Sequence, residues 1–367
     1  MLPRLLLALC LTTPLLAQMQ MDVTIHGKPT FYGKDLTLTV DSHPQPISAV
    51  TPAAEIPLSL AVLIDTTPTQ HRSVEEVRTA TPPFLDHLLR PAPTPTAEPD
   101  TAAILEFSRP VELLADLTAS RPQLNAAIRE LALAPARQTA TSVDPDNNEG
   151  RTARTVTALY DAIYLTAEDV LGKLTTRKAI IVITDGIDNG SKKTTAEAIE
   201  SAQRAGITIF AIYIKGDQQR IDLGEPNRTG DPNNYPSQYP NQYPGQYPGQ
   251  YPSQYPSQYP NPNDPNDPRN FPRPNTPGRT TGGNPHPIHV DGKKILDRIT
   301  SETGGQLFEA SKKIPIEEIY KQMAEILRTQ YRISFTPLQS AATPGFHKLQ
   351  ITAPAQTLQL PDGYFIQ

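Results

Sequence analysis

Residues 178–189 read KAIIVITDGIDN, in which an unbroken apolar run from Ala179 to Ile183 is closed by Thr184, Asp185 and Gly186. A short apolar run with no polar alternation is the pattern of a strand buried on both faces, as in parallel sheets covered by helices. A nearly continuous run of the same kind, Leu58-Ser-Leu-Ala-Val-Leu-Ile64, also ends in an aspartate, Asp65. Around these two strands the patterns alternate. Val74–Leu89 is helix-like with a break at Pro82-Pro83, Thr101–Phe107 and Val111–Leu114 read as strands, and Pro122–Leu133 and Ala158–Leu174 read as helices. A helix over Thr194–Ala205, stopped by Gly206, leads into a strand over Ile207–Ile214. Further on, helices over Gly292–Thr303 and Ile316–Arg328 flank a short strand at Gln306–Phe308. This alternation predicts an α/β fold, a doubly wound and mostly parallel sheet with helices on both faces.

Composition divides the rest of the chain. Of its 367 residues 37% are hydrophobic, below the usual share of about 45–50%, and 40 are proline. Seventeen of those prolines lie between Pro226 and Pro287, and between Tyr235 and Pro260 the chain repeats Tyr-Pro-X-Gln with period four. Proline at every fourth position removes backbone donors and favours extended or polyproline II geometry, so neither helix nor sheet ladder is expected there. At about 3.1 Å per residue the repeat could span roughly 80 Å. Its evenly spaced tyrosines offer amphipathic contact area.

The first 17 residues, MLPRLLLALCLTTPLLA, carry one Arg, an apolar core and a small-residue end, the pattern of a secretory signal. That stretch contains the single Cys, so neither a disulfide framework nor a thiolate metal cluster is expected. Net charge is −5, without long runs of either sign, which argues against a nucleic-acid surface or a polybasic membrane patch. No later segment has the ~18 uninterrupted apolar residues of a membrane span. The expected organisation is a signal peptide over 1–17, an N-terminal β segment over 18–55, and an α/β domain over 56–328 interrupted by the insert at 217–287. A C-terminal β segment over 329–367 completes it. Its short alternating stretches are expected to pair with strands around Val23–Ile25 and Leu36–Val40, bringing the two ends of the chain together.

Ligands of open α/β sheets bind outside the carboxyl ends of the strands, where the strand order reverses. Two aspartates stand there, Asp65 in Asp65-Thr-Thr-Pro-Thr69 and Asp185 in Thr184-Asp-Gly-Ile-Asp-Asn189, together with the helix start Thr157-Ala-Leu-Tyr160. Carboxylates and hydroxyls without basic partners in sequence suit a hard divalent cation, Mg²⁺ above all, with Mn²⁺ or Ca²⁺ as alternatives. With hydroxyls binding directly, such a cation stays short of negative charge and keeps a coordination position for an acidic group from a partner. His286, His289 and Asp291 form a weaker metal-ligand pattern at the exit of the proline-rich segment. A phosphate loop is excluded, because DTTPTQ after the first strand has neither glycine nor Lys. No nucleophile–base pair stands out, so no enzyme activity is expected.

The order DxTxT, TALYDAI, IIVITDGIDNGS resembles the metal-ion-dependent adhesion site (MIDAS) of von Willebrand factor type A (VWFA) domains. More narrowly, PLSLAVLIDT, RPVELLADLT, TALYDAIYL, RKAIIVITDGIDNGS, TSETGGQLFEA and QLPDGYFIQ are similar to the VWFA-related proteins of Acidobacteria, as is the N-terminal segment GKDLTLTVDSHPQPI. The resemblance covers most of 20–215 and 288–367. It implies Asp65, Thr67, Thr69, Thr157 and Asp185 as the metal residues. Threonines stand at 67 and 69 where the family usually has serines, Pro68 stands where it has glycine, and Arg151–Val156 replaces the glycines that usually precede the third motif.

Together these readings predict a secreted or periplasmic, non-enzymatic binding protein that captures a carboxylate of a protein partner at a Mg²⁺ site. The alternative is a structural or cell-surface assembly protein with a metal-free site, its contacts made by the Tyr-Pro repeat.

Overall fold

The structure is a computed structural model and describes residues 19–26, 36–71, 73–108, 110–131, 157–216, 291–338, 343–353 and 357–366. All of these belong to the compact unit formed by residues 1–219 and 290–367. The expected signal peptide, the Tyr-Pro repeat, and His286 and His289 lie outside the described residues.

The two apolar runs become the middle of a six-stranded sheet. Its strands are β5 (Leu58–Asp65), β6 (Thr101–Phe107), β7 (Val111–Thr118), β8 (Arg177–Thr184), β9 (Ile207–Ile214) and β10 (Leu307–Ala310), in the spatial order β10-β9-β8-β5-β6-β7. All neighbours are parallel except the edge strand β7, which returns antiparallel to β6 through a short hairpin and runs four residues further than its sequence pattern suggests.

Strand alternation assigns side chains to two cores. Leu60, Val62, Ile64, Ile181, Ile183, Phe210 and Ile212 face one side, against α1 (Ser73–Leu88), α2 (Arg121–Glu130) and α6 (Ile316–Thr329). Ala61, Leu63, Ile180, Val182, Ile209 and Ala211 face the other, against α3 (Leu159–Leu165), α4 (Thr195–Ala205) and α5 (Gly292–Glu302). Thr194 caps α4 reciprocally with Glu197, and Gly206 ends it in the left-handed conformation.

Two helices depart from the sequence expectation. Pro82 and Pro83 do not interrupt α1, which runs through both. They do remove two backbone donors. The helix is held instead by burial of Val77, Phe84, Leu85 and Leu88, by stacking of Phe84 on Tyr320 at 4.2 Å, and by the Thr81–Tyr320 hydroxyl contact at 2.9 Å. The helix expected over Ala158–Leu174 is α-helical only to Leu165 and continues as a π-helical turn over Thr166–Leu171.

The remaining strands make two four-stranded antiparallel sheets. One contains β1 (Met19–His26), β4 (Ile47–Pro52), β11 (Tyr331–Phe335) and β13 (Thr357–Gln359). The other contains β2 (Thr37–Val40), β3 (His43–Gln45), β12 (Gly345–Thr352) and β14 (Gly363–Ile366). In the first, β1 pairs with β11 and β13; in the second, β2 pairs with β12. Strands from both ends of the chain therefore share one core of Met21, Val23, Leu38, Val40, Ile333, Phe335, Leu349 and Ile351.

A buried ion pair fixes β1 to β11. Arg332 Nε donates to Asp22 Oδ1 at 2.9 Å, and its terminal nitrogens reach the carbonyls of Thr175 and Thr176, just ahead of β8. Burial depresses the pKa of the nearby Arg177, and the Asp22 charge counteracts that depression. Removing the acid leaves buried guanidinium without compensation. Asp22→Ala is therefore expected to cost about 3–5 kcal/mol, and Asp22→Leu combined with Arg332→Met much less, by denaturant unfolding.

Candidate metal centre

Asp65 and Asp185 arrive at the same place for a simple reason of register. Strands β5 and β8 are adjacent and parallel, with Ile64 opposite Ile183. Each aspartate follows an apolar run of its strand, so both emerge at the carboxyl end of the sheet. From β5 the chain moves to β6 on one side and later returns to β8 on the other, which makes this crevice the reversal point of the strand order.

Hydroxyls connect the two carboxylates. Thr67 donates to Asp65 Oδ1 from its backbone N–H at 3.0 Å and from its hydroxyl at 2.6 Å. The Thr67 and Thr69 hydroxyls stand 3.1 Å apart, and Thr69 donates to Asp185 Oδ2 at 3.1 Å. Four of the five sequence-predicted residues thus form one continuous cluster, from Asp65 through both threonines to Asp185. Pro68 opens the 3₁₀ turn Pro68–Gln70, where its fixed φ suits the first position, and the Thr67 methyl is fully buried.

Thr157 reaches the same crevice from the other side. It is buried, and its backbone N–H donates to Asn189 Oδ1 at 2.8 Å while its carbonyl accepts from Asn189 and Gly190. Its hydrogen bonds thus run to the loop after β8 and not to either carboxylate. The same loop is tied to the start of α3 by Asp188, which accepts from the Tyr160 N–H at 3.4 Å, by the Ser191 hydroxyl, which accepts from the Asp161 N–H at 3.0 Å, and by the Asp161 carboxylate, which accepts from the backbone of Lys192 and Lys193.

Two residues that sequence did not single out belong to the cluster. Thr184 donates its hydroxyl to Asp65 Oδ2 at 2.6 Å and accepts from the Gly186 N–H at 3.1 Å. In sequence it reads as the last residue of the strand, and its place opposite Asp65 follows from the β5–β8 register. Gln70, fully buried, accepts from Ser73 through Oε1, and its side chain stands beside Asp185, where it counteracts the rise that burial imposes on that carboxyl. Nothing in its spacing distinguishes it from a loop glutamine. Of the weaker His286, His289 and Asp291 pattern, Asp291 caps α5 by accepting from the Lys294 N–H.

The electrostatics are those of a site short of positive charge. Asp65 is 2% exposed and Asp185 6%. Burial, then the neighbouring Asp185 charge, pushes the Asp65 carboxyl up to about 7, and burial also raises Asp185. Among the described residues no Lys or Arg pairs with either. An all-oxygen donor set of two buried acids and neutral hydroxyls, lacking only a counter-charge, fits a hard divalent cation.

The Asp65 shift makes folding depend on pH. The folded state holds this proton from the ordinary value of 3.8 up to about 7, whereas the unfolded state has already lost it. The stabilisation is therefore present at acidic pH and lost as pH rises through about 7. In chelator, lowering pH from 8 to 6 is expected to stabilise the protein by on the order of 1 kcal/mol relative to Asp65→Asn, measured by urea unfolding of both proteins.

Residues 60–234 match the family model described as von Willebrand factor type A domain. A comparison with curated proteins returns no match. Among solved structures, an aerotolerance-related membrane protein of Bacteroides fragilis is 12% identical, over 74% of this chain and 98% of that one, with a TM-score of 0.39. BatB of Bacteroides thetaiotaomicron is 15% identical, over 43% of this chain and 66% of that one, with a TM-score of 0.32. Proximal thread matrix protein 1 of the mussel byssus is 16% identical over 45% of this chain, with a TM-score of 0.35, and the chain spans only 38% of its length. At these scores no property of a neighbour transfers to this chain. The match over 60–234 and the strand order of the sheet agree: residues 60–234 carry a domain with the von Willebrand factor type A fold.

Proposed function

We propose that this chain is a non-enzymatic, extracytoplasmic binding protein in which Asp65, Thr67, Thr69, Thr157 and Asp185 hold Mg²⁺ and a protein partner supplies a carboxylate. The observation that carries this reading is the hydroxyl-bridged pair of buried acids without a basic partner at the reversal point of the sheet. Domains of this family are in general interaction modules, which favours binding over turnover. When bound, the cation would neutralise the two acids and act as a Lewis acid toward an incoming oxygen anion. Thr67 and Thr69 would add donor oxygens without adding charge, and Asp65 and Asp185 would orient those hydroxyls. The hydrogen bonds from Thr157 to Asn189 and Gly190 would hold the loop after β8 in register with the start of α3. The exposed Ile187, 37% accessible on that loop, offers apolar contact area beside the acids.

The extracytoplasmic location rests on the signal-like pattern at 1–17 and on the absence of any other Cys. Among the described residues no helix is long and apolar enough to cross a membrane.

Calorimetric titration of the chelator-treated protein with Mg²⁺ or Mn²⁺ is expected to show one site, absent in Asp65→Ala. Since the cation competes with the Asp65 proton, affinity at pH 6 is expected to be about tenfold weaker than at pH 8. Capture of a protein partner from a native extract is expected to be lost with chelator and with Asp65→Ala. Capture that survives both, and disappears only on deletion of residues 235–260, would transfer the binding role to the Tyr-Pro repeat.

A further inference from the structure

Beyond β9 the chain passes Lys215 and reaches Gly216. A Cβ placed on Gly216 would stand 2.4 Å from Asp185 Oδ2, 3.3 Å from its carboxyl carbon and 3.2 Å from Thr69 Cβ. The first distance is far inside van der Waals contact, and the third closes the direction in which a methyl could slide away. The backbone of Gly216 does not lie in the left-handed region, unlike that of Gly186 (φ +74) or Gly206 (φ +63). Conformational freedom therefore does not account for a glycine here, whereas the space does.

Among the described residues most tight glycines face backbone. The Cβ of Gly305 would run into the Ile209 carbonyl, and that of Gly292 into the Asp185 carbonyl. Those are constraints of chain packing. At Gly216 the obstructed group is the carboxylate of Asp185, and that carboxylate has little freedom to yield. Its Oδ1 accepts from the Ile187 N–H at 3.1 Å and its Oδ2 from the Thr69 hydroxyl at 3.1 Å. Its main chain is penned by Gly186 and Gly292, whose backbones are in mutual contact.

We infer that Gly216 is a positioning residue of the cation site, its missing side chain keeping the Asp185 carboxylate in place against Thr69. The inference rests on the cation reading proposed above and adds to it a residue outside the donor set. A methyl at 216 would have to turn Oδ2 away from Thr69, which breaks the hydroxyl bridge at its Asp185 end while leaving Asp65, Thr67 and Thr184 untouched.

The test uses the full chain with Gly216→Ala, Asp65→Ala, Asp185→Ser and the double variant Gly216→Ala/Asp185→Ser. In Mn²⁺ titrations at pH 8, Gly216→Ala is expected to bind at least tenfold more weakly than the unaltered protein. In chelator, where no cation contributes, Gly216→Ala is expected to lower the thermal midpoint by a few degrees when Asp185 is present and to change it little in the Asp185→Ser background, because the shorter side chain clears the methyl. Equal Mn²⁺ affinity of Gly216→Ala and the unaltered protein, with binding abolished in Asp65→Ala, would overturn the inference and leave the cation reading standing. Additive midpoints in the two backgrounds would overturn it as well. An unaltered protein that binds no cation would overturn the cation reading instead, and the functional part of this inference with it.

Discussion

The parallel pairing of β5 with β8 is the constraint on which the site depends. It sets Asp65 opposite Thr184 and one step from Asp185, and so forces two carboxylates into a crevice sealed by apolar strands. Buried acids are ordinarily paired with a basic side chain, and an isolated buried charge is costly enough that the group takes up a proton instead. Here the second acid makes the first harder to ionise. The hydroxyls of Thr67 and Thr184 offset only part of that cost, since they bring dipoles and no charge.

The loops at this end of the sheet are held by polar contacts of their own, beyond the Thr67 and Ile187 N–H groups that the two acids accept. Asp188, Asn189 and Asp161 accept from backbone N–H groups of α3 and of the loop after β8, each satisfying donors that a helix start or a turn leaves open. The 3₁₀ turn after Asp65 is set by Pro68. A rigid frame matters for a cation site because ligands that must be collected from flexible loops lose ordering entropy on binding. At the opposite end of β8, Arg332 ties the carbonyls of Thr175 and Thr176 to Asp22, so this central strand is anchored at both ends.

Much of this was legible in the residues. Continuous apolar runs ending in aspartate, the alternation of patterns and the period-two stretches at the two ends of the chain are local signals that burial preserves. What could not be read was tertiary. Pro82-Pro83 ought to break a helix, and only the stacking of Phe84 on Tyr320, from a helix more than two hundred residues away, shows why it does not. The π-helical turn at Thr166–Leu171 keeps the apolar face that periodicity indicates while changing the hydrogen bonding that periodicity cannot register. Thr184 and Gln70 are ordinary residues in sequence and acquire meaning only from what β5 and β8 bring beside them.

The threonine substitutions at 67 and 69 bear on whether a cation belongs in this crevice at all. A site that had gone over to a metal-free structural role would be relieved by any change that neutralised an acid or introduced a Lys or Arg, because the two buried carboxyls weaken the fold at neutral pH. The differences from the family pattern are of another kind. Each keeps its hydroxyl, and the added methyl of Thr67 is buried in the loop without displacing Oγ1 from Asp65. The changes thus alter packing around the donors while the donor atoms and the uncompensated charge are both retained. A divalent cation would satisfy that combination, whereas in a site serving only as scaffold the hydroxyls would offset no more than part of the cost of two buried acids.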